Sequence, residues 1–176
     1  PDYIQGGNGG TLNYAVIASN GGPGASTGAM ILDGAILASS ESGPHQVESS
    51  DLAKGGSLLV GSSSSSSFTQ NIAVADQSTQ LDAIAPNFNA DTPLVTPAYQ
   101  AMSQSDPNNV LYTSTLSAPI LDAAGFSSMS FAADNANLAV DAPLNVQPGG
   151  KISLSGASVQ VNADLSAPGG AINIVG

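Results

Sequence analysis

Gly24-Ala25-Ser26-Thr27-Gly28 has the form G-x-S-x-G, the spacing with which a serine hydrolase holds its nucleophile on a sharp strand-to-helix turn. That chemistry needs the helix and a histidine within reach. Here the motif follows Gly21-Gly22-Pro23 and runs into the strand-like AMILDGAIL, so it reads as a turn between strands. His45 is the sole imidazole, in Gly43-Pro44-His45-Gln46-Val47-Glu48 with Asp51 close behind. A general base needs a pocket and a matched partner, and one histidine is one ligand where a metal site takes three or four. The Gly-Pro before it and the Glu-Ser-Ser-Asp after it read as an exposed loop. No catalytic residue, metal ligand or cofactor is assigned, and the chain is not expected to be an enzyme.

Calcium motifs fare no better. Gly6-Gly7-Asn8-Gly9-Gly10 lacks the aspartate of the nonapeptide G-G-x-G-x-D-x-U-x, and no EF-hand loop is present. Neither a phosphate-binding loop nor a dinucleotide fingerprint occurs. Aspartates on turns read as turn formers.

Charge narrows the partners. Thirteen acids against two lysines give a net charge of −11. Lys54 and Lys151 are not expected to form the cationic patch that phosphate binding requires, which excludes nucleic acid and direct attraction to anionic lipid. Charged residues are 9% of the chain, far below the roughly 25% of ordinary soluble domains, so Ser, Thr, Asn, Gln and Asp must solvate the surface. Hydrophobic content of 41% with only 5% aromatics suits a thin core of Ala, Val, Ile and Leu. With no cysteine there is neither a disulfide framework nor a thiolate site. No stretch approaches the ~20 apolar residues that span a bilayer. Pro1-Asp2-Tyr3-Ile4 shows no signal-peptide pattern and AINIVG stops one strand into a new turn, so the chain reads as part of a longer one.

The elements that would position any site are legible in the last third. Ile152 and Leu154 fall 20 residues before Ile172 and Ile174. Val159 and Val161 follow Leu138 and Val140 by 21, Leu165 and Ala167 follow Leu144 and Val146 by 21, and Ile152 and Leu154 follow Met129 and Phe131 by 23. Alternation with period two hides one side of each strand, and a fixed interval near 20 sets like residues above like. One turn cannot bury its apolar side alone, so turns must stack in parallel register. The pattern predicts an all-β fold, a parallel β-solenoid with three short strands per turn of 20 to 23 residues. Its expected core is Met129, Phe131, Leu138, Val140, Leu144, Val146, Ile152, Leu154, Val159, Val161, Leu165, Ile172 and Ile174. In this register Asp141 stacks on Asn162 and Asp164 falls opposite Pro143, so no column of acids results.

Three regions are expected. Residues 1–61 are glycine-punctuated strands, with Leu58 lying 22 beyond Ile36 and 46 beyond Leu12, or two turns, and with an excursion at 39–53. Residues 62–122 are an irregular proline-rich insertion or flap, opened by the serine run 62–67 and carrying one short helix from Thr96 to about Ser103. Its Phe88, Tyr99 and Tyr112 are the candidate partner-binding residues, because loops on a regular scaffold carry its distinctive surface. Residues 123–176 return to the turns.

The stretch from Thr115 to Ile174 resembles the late β-helical region of filamentous-haemagglutinin-type exoproteins of bacterial two-partner secretion. The resemblance rests on Leu121, Asp122, Ala123, Gly125, Phe126, Met129 and Phe131, followed by glycine-paired turns. It implies a right-handed parallel β-helix, export through an outer-membrane secretion partner, and an extracellular or bacterial cell-surface location. The expected function is that of a structural and adhesive segment, a stalk or filament in cell-cell, matrix or host attachment or in biofilm. Its partners would be a glycan or protein ligand at a surface, or another copy of itself. The alternative is a carbohydrate-active β-helical enzyme, a polysaccharide lyase or glycoside hydrolase with paired carboxylates.

Overall fold

The computed structural model describes residues 6–14, 32, 34–46, 52–61, 71–76, 113–133 and 136–176. Among these the protein is all-β with parallel sheets and one short helix. The strands are β1 (Thr11–Tyr14), β2 (Ser57–Gly61), β3 (Asn71–Ala75), β4 (Thr113–Ser117), β5 (Ser128–Ala132), β6 (Asn137–Val140), β7 (Leu144–Asn145), β8 (Lys151–Ser155), β9 (Ser158–Val161), β10 (Leu165–Ser166) and β11 (Ala171–Val175), and the helix is α1 (Ala118–Ala124). They form sheets of order β1-β2-β5-β8-β11, β4-β3-β6-β9 and β10-β7. Every ladder is parallel.

The intervals read from the sequence set the pairing. Ile152 pairs with Ile172 and Leu154 with Ile174; Met129 pairs with Ile152 and Phe131 with Leu154. Leu138 meets Val159 and Val140 meets Val161, while Leu144 meets Leu165. Apolar residues thus lie on apolar residues along these ladders, with serines alternating outward on β5 and β8.

Turn chemistry repeats with the strands. Gln147-Pro148-Gly149-Gly150 closes with the Gly150 N–H donating to the Gln147 carbonyl at 2.9 Å, and Ala167-Pro168-Gly169-Gly170 closes the same way at 3.0 Å. Proline second and a positive-φ glycine third, Gly149 at 77° and Gly169 at 65°, are the marks of a type II turn. The glycine after each one lies against the backbone of the adjacent strand start: a Cβ on Gly170 would strike the Gly150 carbonyl.

The core gathers Tyr14, Leu58, Val60, Ile72, Val74, Leu116, Leu121 and Phe126 with the apolar faces of β5 to β8. Helix α1 starts after Ser117 with Pro119 in its first turn, buries Ala118, Leu121 and Ala124, and ends at Gly125 in the left-handed conformation, φ 75°. Its seven residues carry the Leu-Asp-Ala motif that the sequence presents as the opening of the coil, with no sign there of a helix.

Several expectations change. Of the expected core, Met129, Phe131, Leu138, Val140, Leu144, Val146, Ile152 and Leu154 are buried, and Val159 and Leu165 are partly buried against it. Val161, Ile172 and Ile174 are 37%, 42% and 51% exposed. They hold their register but face solvent because no described strand packs beyond them; pairing along a ladder and coverage of its apolar face are separate conditions. Leu12 pairs directly with Leu58, so the interval of 46 is crossed in one step and Ile36 lies on no strand between them. Within the expected insertion, β3 and β4 are regular strands: β3 pairs with β4 on one side and β6 on the other. The helix expected at 96–103 and the residues Phe88, Tyr99 and Tyr112 lie outside the described residues.

Candidate functional site

Among the described residues, those whose types suggest hydrolytic or metal chemistry do not converge. Gly24 to Gly28 lies outside the described residues. His45 is exposed in a turn closed by the Gln46 N–H donating to the Gly43 carbonyl at 3.0 Å. Among the described residues no three His, Asp or Glu side chains are grouped as metal ligands.

Asp141 and Asp122 are engaged in holding strands. Asp141 accepts a 2.6 Å hydrogen bond from the Asn162 amide, and Asn162 in turn accepts from Gln160 at 3.2 Å. Asp122 on α1 accepts from both the backbone N–H and the side-chain amide of Asn145 on β7, at 3.0 and 2.6 Å. The helix therefore lies where a further strand beside β7 would supply carbonyls, and a carboxylate takes their place. Burial pushes the Tyr14 phenol up from 10.0 to about 12.

Two surfaces remain that could bind something. The first is the open side of the final ladders, where Val161 on β9 and Ile172, Ile174 and Val175 on β11 are exposed, each on an edge strand of its sheet. Such an edge offers unpaired N–H and carbonyl groups to another strand.

The second is a cleft of about 740 Å³ at the start of the β2-β5-β8 ladder. Lys54 and Lys151 both line it, with Ser42, Leu52, Ala53, Ser127, Ser128 and the Gln147–Gly150 turn. Far apart in sequence, these two lysines are not expected to act together. The structure brings them to one site because Lys54 precedes a Gly-Gly pair, Lys151 follows one, and the two pairs lie one strand apart on either side of Ser127. The signal is present in the intervals: Ser57 pairs with Ser128 and Ser128 with Lys151.

No family model, curated protein or solved structure matches the chain. The ladders, the open face and the cleft therefore carry the functional reading.

Proposed function

We propose that the chain is a length of right-handed parallel β-helix serving as a structural and adhesive segment of a large secreted bacterial surface protein. The observation that carries this reading is the recurrence of strand order from Ser128 onward. β5, β6 and β7 are followed by β8, β9 and β10, and each pairs in register with its counterpart. A chain that repeats three strands and returns above itself advances one strand spacing, about 4.8 Å, per turn. Such a unit lengthens by adding turns and presents a polar flank of Ser, Asn and Gln. The exposed apolar face beside β11 would accept a further parallel layer, from continuing turns or from another copy. Its similarity to filamentous-haemagglutinin-type exoproteins supports the same reading, with export through an outer-membrane partner and residence at the cell surface.

Specificity is placed in the segment between β3 and β4. Beads coated with the protein should adhere to host-cell monolayers or to bacterial films. A variant in which residues 77–112 are replaced by a flexible bridge of about ten Gly and Ser residues should keep its β-type circular dichroism and lose adhesion. The bridge must be that long because Ala75 and Thr113 lie at opposite ends of paired parallel strands. Failure of the intact protein to adhere would remove the adhesive role. Release of reducing ends from an acidic polysaccharide would replace it with the enzyme reading.

A further inference from the structure

We propose that the Lys54–Lys151 cleft is a binding site for a short carboxylated oligosaccharide, a chain of two or three uronic acid units. Charge sets the cleft apart from the rest of the surface. Thirteen acids are spread along the sequence, yet none of the eleven described residues that line the cleft is acidic, and both lysines are there. Neither ammonium is paired with an acid among the described residues.

Both cations are mounted on fixed backbone. The Lys54 N–H donates to the Asn8 side chain at 2.9 Å and its carbonyl accepts from Gly9 at 2.8 Å. The Lys151 N–H donates to the Ser127 carbonyl at 2.9 Å, at the start of β8. Between them, Ser127 donates its hydroxyl to the Gly55 carbonyl at 2.6 Å, and Gln147 accepts from the Gly55 N–H at 3.1 Å. The wall is thus preorganised, which lowers the ordering cost of binding. Through Ser128, Lys151 is in register with Ser57 and not with Lys54, so the two mounts are offset both by two strand spacings across the sheet, about 10 Å, and by the run from Lys54 to Ser57 along it. Mounts offset in both directions suit carboxylates on linked units better than one small anion.

The rest of the lining selects a sugar body over a bare anion. Leu52, Ala53 and Pro148 give the lining apolar surface for the C–H face of a pyranose, and Ser128 and Gln147 add hydrogen-bonding capacity. A long polyanion is disfavoured, since the remaining surface is strongly negative. The site stands independently of whether the chain serves as a stalk, because it requires only the cleft.

The test is titration calorimetry at low salt with trigalacturonate as probe, against maltotriose and acetate, using the full chain. Saturable binding of trigalacturonate is expected, with none for maltotriose, and with acetate failing to compete at equal carboxylate concentration. Lys54→Gln and Lys151→Gln should each weaken binding about tenfold or more, and the double variant should abolish it. Lys151→Arg should restore most of the affinity, and all variants should melt with the parent since both side chains are exposed. The variant lacking residues 77–112 should bind the probe unchanged, which separates this site from the adhesive segment. Absence of saturable binding, binding indifferent to both lysines, or equal competition by acetate would overturn the proposal.

Discussion

The Asp122 carboxylate grips Asn145 with both oxygens, one on the backbone N–H at 3.0 Å and the other on the side-chain amide at 2.6 Å. A helix lacks the outward carbonyl row that a strand would offer to β7, and this side chain supplies the missing acceptor. Asp122→Ala should therefore loosen α1 from β7 and lower stability by about 1 kcal/mol, the contact being solvent-exposed. Asp122→Asn, which keeps one oxygen acceptor, should lose less. Urea unfolding midpoints of the two variants check the order.

Register and coverage can be separated by one substitution made at two paired positions. Val140 and Val161 are partners across β6 and β9, yet Val140 is fully buried and Val161 is 37% exposed. Val140→Asp should cost roughly 3 kcal/mol or more, because an unpaired carboxylate is left in the core. Val161→Asp should cost within about 1 kcal/mol. Equal losses would show that the face of β9 is covered in solution.

The ladder register is legible in the sequence because period-two alternation and a spacing of 20 to 23 are both properties of backbone geometry. Met129, Ile152 and Ile172 align by their intervals alone. Burial of Ile172 is not legible, since it depends on what lies beyond the last strand and not on the strand itself. Helix α1 escapes for a different reason: seven residues are too few for a helical period, and Leu121, Asp122 and Ala123 fit a strand pattern equally well. The joining of Lys54 to Lys151 is implicit in the pairing of Ser57, Ser128 and Lys151, but requires treating a long-range register as a spatial map.

Adjacent glycines should respond differently to alanine. Gly149 has φ 77° with nothing near an added Cβ, so Gly149→Ala should cost only the left-handed strain, about 1 kcal/mol. At Gly150 the Cβ would strike the Ser127 carbonyl, in addition to sitting 3.0 Å from the Val146 side chain. Gly150→Ala should cost about 2 kcal/mol or more, since backbone has to move. Gly149→Asn should be milder than either. Thermal melts of the three variants give the ranking.

Tyr14 predicts an alkaline limit to stability. Its phenol is raised from 10.0 to about 12 by burial, so the folded state holds the proton more tightly than the unfolded state. The stabilisation is fully present below pH 10 and is lost as pH rises from 10 through about 12, by roughly 2 to 3 kcal/mol in total. Tyr14→Phe should flatten that decline. Urea unfolding at a pH below 10 and at one near 12 checks it.

The most direct test of the stacked parallel architecture is the distance between spin labels at positions 13 and 173. Asn13, Leu59, Ser130, Ser153 and Asn173 are successive partners across β1, β2, β5, β8 and β11. Four strand spacings place the two exposed outer residues about 19 Å apart at the backbone. Pulsed electron resonance on the doubly labelled chain should give one narrow distribution near 2 nm, allowing for the label arms. A broad distribution, or a separation several strand spacings longer, would contradict the stack.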